Sequence, residues 1–306
     1  MSTPNSYYVP EQSKLPIFAS IGLATTVYGL ASILTGKESG STIMFAGFLV
    51  FAFVLYRWFN IVISENMQGL NSDQLKRSYV WGMGWFIFSE VMFFAAFFGA
   101  LFYVRHFALP WLGGEGSHDL ATTNSILWPG FEATWPLMTT PDQVVNGDSA
   151  TMQGPAHSMS INDAGSIWTW LPFWNTVILL TSSVTVHFAH TGLKNDNRQQ
   201  FKMWLGGTVA LGVLFLILQV YEYYEAYHHL GLTLNSGIYG TTFFMLTGFH
   251  GAHVTLGTFM LAVMLVRAVK GHFKHDDCFG FESASWYWHF VDVVWLGLFI
   301  FVYILG

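Results

Sequence analysis

Residues 79–103 read YVWGMGWFIFSEVMFFAAFFGALFY. This stretch is almost wholly apolar, and it is about as long as a helix that crosses a bilayer, for which roughly 20 residues suffice. One carboxylate, Glu90, lies near its middle, where an ionised side chain is costly. Two roles stay open for Glu90: a hydrogen bond to a neighbouring helix, or proton or ion chemistry. Small residues beyond it, such as Ala95 and Gly99, predict close approach of another helix.

The composition of the chain is that of a multi-pass membrane protein. Of the 306 residues, 53% are hydrophobic, 18% are aromatic and only 10% are charged, as expected when most of the chain lies in lipid. The net charge of −6 argues against binding to nucleic acid. The single cysteine, Cys278, excludes an internal disulfide and a metal cluster built on several cysteines. The first residues lack the charged start and short apolar core of a cleaved signal peptide.

The apolar segments predict an all-α fold with seven transmembrane helices. The predicted spans are residues 15–34, 41–63, 79–103, 170–190, 203–227, 239–266 and 284–305. Polar stretches divide them into predicted domains: a lead and two-helix hairpin (1–64), an inner linker (65–78) and a five-helix bundle (79–306) with a long outer loop (105–167). No internal repeat is found, and this argues against a repeat-built transporter.

The positive charges predict the orientation of the chain in the membrane. With the N-terminus inside and the C-terminus outside, Lys37 and Arg105 fall on the outer side. The inner side receives Lys14, Arg57, Lys76, Arg77, Lys194, Arg198, Lys202, Arg267, Lys270 and Lys274. The outer loop is then acidic, and its carboxylates either attract a basic soluble partner or are simply solvated. They are Glu115, Asp119, Glu132, Asp142, Asp148 and Asp163.

Several polar residues within or beside the spans could carry chemistry. His187 and His190, like His250 and His253, are three residues apart and share a helix face. The two pairs do not lie at one predicted level, so we expect packing and hydrogen bonds from them and no metal site in this chain. Glu222 and Glu225 are predicted to reach the headgroup region.

Asp292 lies about two turns inside the last span and needs a hydrogen-bond partner. His250 is near mid-membrane, like Glu90, and is therefore a candidate partner for it. We group His250 and Asp292 as a candidate polar network.

Several motifs in these segments resemble subunit III of the haem–copper cytochrome c oxidases of the aa3 type. The first is FIFSEVMFFAAFF at residues 86–98. QVYEYYEA follows at 219–226, and YGTTFF at 239–244 precedes GFHGAHV at 248–254. The last are FGFE at 279–282 and WYWHFVDVVW at 286–295. These motifs cover most of the chain and occur in the family's order.

The resemblance implies a non-catalytic subunit without metal, in which helices 1–2 are splayed from helices 3–7 around a cleft that holds phospholipid. It places lipid contacts at Trp58, Glu65, Arg267 and His272, and the family's membrane carboxylate at Glu90. It implies packing against subunit II and against catalytic subunit I, which holds the haem and copper. It also implies support of proton uptake and of the stability of subunit I during turnover. If this chain belongs to such an oxidase, the acidic outer loop could attract cytochrome c. The expected location is a bacterial plasma membrane, and a protein made inside a mitochondrion stays open as the alternative.

Two rival interpretations remain. The third subunit of a quinol oxidase is similar but usually lacks the first two helices, so residues 15–63 favour the cytochrome c type. A free-standing transporter would need several intramembrane charges along a path, whereas only Glu90 is placed deeply by the sequence. The loop 105–167 is longer than in many members of the family, and residues 274–278 differ from a histidine-rich version in some of them.

Overall fold

The computed structural model describes residues 12–115, 124–273 and 278–306. Within these ranges the chain is α-helical with no β-strand, and seven helices are long and apolar enough to cross a membrane. We label them α1 (Leu15–Leu34), α2 (Gly40–Met67), α3 (Asp73–Tyr103), α4 (Leu171–Lys194), α5 (Arg198–His228), α6 (Gly237–Val269) and α7 (Phe279–Leu298). The helix of α3 continues through Leu112, and that of α7 continues through Ile304.

The helices extend past the predicted spans at their polar ends. The predicted inner linker 65–78 is mostly helical, because α2 runs to Met67 and α3 begins at Asp73. Hydropathy marks the part of a helix that lies in lipid, but polar residues continue the same backbone hydrogen bonds beyond it. For the same reason the helix that precedes the predicted outer loop continues past Arg105, to Leu112.

The chain forms two compact units, Met1–Gly82 and Met83–Gly306. The first contains the hairpin of α1 and α2. Two of its helix crossings depend on glycine: a Cβ atom at Gly29 would lie 2.2 Å from the backbone nitrogen of Met44, and one at Gly47 would lie 2.5 Å from that of Thr26. Any side chain at these positions would separate the helices, so glycine sets their close packing in this hairpin.

The second unit is built around α7. Helices α4, α5 and α6 pack in sequence, and α7 contacts both α4 and α6. Its buried residues include neighbouring positions and cover a broad part of the helix surface. They include Tyr287, Trp288, Val291, Trp295 and Leu298. Phenylalanines of α3 pack on α6 and α7, for example Phe93 on Phe249 and Phe98 on Phe301.

The described part of the predicted outer loop is ordered by hydrogen bonds of its own. Asp142 accepts from the backbone N–H groups of Thr151 and Met152, at 2.8 and 3.1 Å. Side-chain hydrogen bonds from Asn146 and Thr151 and backbone hydrogen bonds hold the pKa of Asp142 at about 2. Asp163 accepts two hydrogen bonds from Ser158, which lower its pKa. Two of the predicted acidic residues therefore hold the segment together.

Candidate functional site

The membrane carboxylate predicted from the sequence, Glu90, pairs with a histidine. Glu90 on α3 places Oε2 2.7 Å from Nε2 of His253 on α6. The two side chains are 23% and 14% exposed, so the pair is mostly screened from its surroundings by this chain alone. The prediction that His250 is the partner was wrong. The His250 imidazole lies on another side of α6, where Nε2 is 3.3 Å from the carbonyl oxygen of Val291.

The second nitrogen of His253 limits where the protons can be. Nδ1 lies 2.6 Å from the carbonyl oxygen of Phe249, and a carbonyl oxygen only accepts, so Nδ1 carries a hydrogen. A neutral His253 then has an unprotonated Nε2 facing Glu90. The short contact therefore contains one proton, held either by the acid or by the imidazole.

Aromatic rings surround this pair. The ring of Phe94 meets that of His253 edge to face at 4.9 Å, and Phe93 packs against Phe249 at the same centroid distance. On the side of α7, Tyr287 lies parallel to His253 at 6.5 Å. These aromatic side chains lower the local dielectric constant, and this strengthens a hydrogen bond to an acid. The arrangement can hold a proton near the middle of three helices.

A second carboxylate, Glu222 of α5, is more completely buried than Glu90. It is 1% exposed. Its Oε1 accepts a hydrogen bond from the Tyr303 hydroxyl at 2.5 Å, and its Oε2 accepts one from the Asn175 amide at 3.3 Å. The sequence predicted that Glu222 reaches the headgroup region, and this stays a prediction. Within the protein the side chain is buried, because residues from α4 and from the end of the last helix cover it. The sequence feature that could have predicted the burial of Glu222 is its spacing from Gln219 and Ala226, which are buried on the same face of α5.

Asp292 and His250 have separate partners. Asp292 is buried on α7, with Oδ2 3.6 Å from Nδ1 of His289. The same nitrogen lies 2.8 Å from the Ser183 hydroxyl of α4. The side chain of His250 instead packs between the rings of Phe215 and Trp295. A functional network of His250 and Asp292 stays a prediction, and the contacts of both residues belong to a core that joins α4, α6 and α7.

The predicted lipid contacts fall in both units. Trp58 and Glu65 lie on α2, and the Trp58 side chain is exposed. Arg267, at the end of α6, is only 8% exposed, with its guanidinium carbon 4.7 Å from the centre of the Phe273 ring. The backbone N–H of His272 donates to the Arg267 carbonyl. Burial and the charges of Arg267 and Lys270 lower the pKa of His272.

Comparison with known proteins gives consistent matches. The family model described as cytochrome c oxidase subunit III matches residues 5–115 and 166–306. Cytochrome c oxidase subunit 3 of Drosophila melanogaster is 37% identical over 308 residues, which cover 99% of this chain and 98% of the relative. The protein of the same name from Anopheles gambiae is 36% identical, covering 97% and 95%. The one from Dugong dugon is 34% identical, covering 98% and 97%.

Proposed function

Because the chain belongs to the cytochrome c oxidase subunit III family, we propose that it packs against subunits I and II of that oxidase. The observation that carries this proposal is the match of the family over nearly the full chain. In the proposal, subunit I holds the haem and copper, and this chain has no redox centre. Its role is to bind phospholipid, to support proton uptake and to protect subunit I during reduction of oxygen to water.

The surface of α3 supports the proposed packing against a partner. Trp85, Phe88 and Met92 are exposed by 65%, 52% and 53%, and they recur on one face of the helix. The opposite side of α3 contributes Glu90 and Phe94 to the packing on α6. An exposed apolar face on a membrane helix can contact another membrane subunit or lipid tails, so this face is available for the proposed packing.

Purification of the intact complex through a tag on this chain tests the proposal. We expect haem absorption to co-purify with the chain, and the complex to oxidise reduced cytochrome c. Removal of the chain should leave the initial rate nearly unchanged but reduce the number of turnovers before activity is lost. Oxidation of quinol with no activity toward cytochrome c would favour the quinol-oxidase alternative. A haem-free chain that transports a solute alone would overturn the proposal.

The Glu90–His253 pair gives a prediction about protonation. We propose that Glu90 is the neutral partner and donates to Nε2 of His253. Glu90→Gln should then preserve the fold and most oxidase activity, because an amide N–H can replace the acid as donor. Glu90→Ala should destabilise the complex by about 1–3 kcal/mol, because it leaves a buried nitrogen unpaired.

Infrared difference spectra and thermal unfolding of the purified complex measure these effects. The double variant Glu90→Ala/His253→Ala isolates the interaction energy between the two side chains. If they interact, the double variant should be destabilised by less than the sum of the two single changes. An ionised carboxylate band at pH 7 in the wild type that is missing from Glu90→Gln would show an ion pair and refute the neutral-acid account.

We also propose that Trp58, Glu65, Arg267 and His272 contact phospholipid headgroups. A bound phosphate would offset the positive charge of Arg267, which is mostly buried. Arg267→Ala should therefore reduce the phospholipid retained by the complex, as counted by native mass spectrometry, and should speed inactivation during turnover. Lys270→Ala is the matched control, since Lys270 is exposed at the same helix end. An equal lipid count in wild type and Arg267→Ala would exclude this role.

The outer acidic residues are proposed to steer a basic cytochrome c toward the complex. The carboxylates of Asp142 and Asp163 accept hydrogen bonds within this loop, so Glu115, Glu132 and Asp148 are the stronger candidates among the described residues. Asp119 lies outside the described residues. Steering of this kind depends on ionic strength.

We also propose that the N-terminus lies on the inner side of the membrane and that this membrane is a bacterial plasma membrane. The relatives named above are animal proteins.

A further inference from the structure

Three side chains with metal-binding atoms meet where α4 ends and α7 begins. They are His190, Cys278 and Glu282, and their ligand atoms all lie within 4.8 Å of one another. Nε2 of His190 is 3.0 Å from Oε1 of Glu282, and Sγ of Cys278 is 3.3 Å from the same oxygen. All three residues are partly buried. The group lies within the second compact unit and apart from the Glu90–His253 pair.

The spacing of these atoms fits a tetrahedral zinc site. Zinc bonds of about 2.0–2.3 Å place neighbouring ligands roughly 3.3–3.8 Å apart. The two contacts to Glu282 are already close to that spacing. The third pair, Nε2 of His190 and Sγ of Cys278, lies within 4.8 Å, so side-chain rotations can bring all three ligand atoms to one ion. Imidazole, thiolate and carboxylate are all ligands that zinc accepts, and three protein ligands leave the fourth position for water.

The backbone holds the three ligands in place. His190 lies in the last two turns of α4, Cys278 is the N-cap residue of α7, and Glu282 is in the first turn of α7. The His190–Glu282 contact therefore connects two helix ends whose contacting residues are separated by 92 positions of chain. Ligands on helices are held more rigidly than ligands on loops.

A lysine lies beside this cluster. Nζ of Lys194 lies 3.7 Å from Oε1 of Glu282. Its side chain is 57% exposed, so it can turn outward when a metal ion enters. Zinc binding would replace the Cys278 thiol proton, which passes to water, and would displace the lysine. Nε2 of His190 would bind the ion unprotonated, with the ring hydrogen on Nδ1.

We propose that His190, Cys278 and Glu282 form a binding site for zinc or a similar thiol-binding divalent ion, which ties α4 to α7. This proposal departs from our expectation that the chain holds no metal. The sequence shows no spacing motif for this site, because the ligands come from distant parts of the chain and only one of them is a cysteine. The His187–His190 pair, which did stand out, contributes a single ligand.

The test uses the intact complex, stripped with a chelator and supplied with zinc chloride or with magnesium chloride. Zinc should protect Cys278 from alkylation, measured on its peptide by mass spectrometry, and magnesium should not. Zinc X-ray absorption should show a sulfur ligand at about 2.3 Å that is absent from Cys278→Ser. His190→Gln should weaken zinc binding by at least the roughly 10–100-fold that is typical when only an outer hydrogen-bond partner is lost.

Two further variants distinguish a metal site from a structural cluster. His187→Gln is the matched control, because His187 is exposed one turn earlier on α4, and zinc uptake should not change. Lys194→Gln should tighten zinc binding, because it removes a competing cation. The proposal is overturned if the complex takes up the same zinc with and without Cys278, or if magnesium protects the thiol equally well. Weaker zinc binding in Lys194→Gln would also overturn it.

Discussion

Replacement of Trp288 by alanine is expected to destabilise the helix bundle by about 3–5 kcal/mol, the usual cost of removing a large buried aromatic side chain. Trp288 is fully buried on α7. Its ring fills the space left by two glycines: a Cβ at Gly212 on α5 or at Gly257 on α6 would each lie 2.9 Å from a ring carbon. The indole N–H donates to the Ser182 hydroxyl on α4 at 2.9 Å.

The stability lost in Trp288→Ala does not come from the expulsion of water from this site. In a bilayer the lipid tails are as apolar as the side chains, so helices associate through close packing and hydrogen bonds. A cavity in place of the indole removes packing contacts from three helices and leaves Ser182 without its donor. The change should therefore loosen α4, α5 and α6 together.

Thermal unfolding of the complex in detergent measures this effect. Trp286→Ala is the control, since Trp286 is 39% exposed two residues earlier on the same helix, and it should change stability little. Gly257→Val tests the same contact from α6, because the added side chain would collide with the ring of Trp288. Equal unfolding temperatures for Trp288→Ala and Trp286→Ala would mean that this residue is not central to the bundle.

The sequence predicted the number of helices well for a physical reason. The backbone N–H and C=O groups of each span must be hydrogen-bonded within the span when it lies in lipid, and a helix satisfies this requirement. Long apolar segments are therefore helical. The ends were less predictable, because α2 and α3 continue into the polar residues 64–78. Outside the lipid a helix is no longer required, and its end depends on local contacts that hydropathy does not measure.

The direction in which each polar side chain points was not predictable in the same way. Both the lipid-facing and the protein-facing sides of these helices are apolar, so hydrophobic periodicity does not identify the buried face. Depth along α6 indicated His250 as the partner of Glu90, but packing on α3 selects His253. The burial of Glu222 depends on Tyr303, which lies 81 residues further along the chain.

Glu222→Ala is expected to have the second largest effect on stability. The carboxylate joins three helices, because it accepts from Tyr303 at the end of the last helix and from Asn175 on α4. Alanine would leave that hydroxyl and that amide without a partner in a dry interior, at about 1–3 kcal/mol for each group. Glu222→Gln keeps the shape and one acceptor oxygen, so its cost should be clearly smaller.

The destabilisation by Glu222→Ala should depend on the hydrogen bonds of Glu222 and not only on the lost side-chain volume. In Tyr303→Phe the hydroxyl is already absent, so a subsequent Glu222→Ala should cost less than it does in the wild type. Glu225→Ala, three residues later on α5, is the control and lies outside these hydrogen bonds. Thermal unfolding of the four variants and of the double variant supplies the coupling energy. Strictly additive changes would contradict a shared group, and Glu222 would then stabilise the bundle only by filling space.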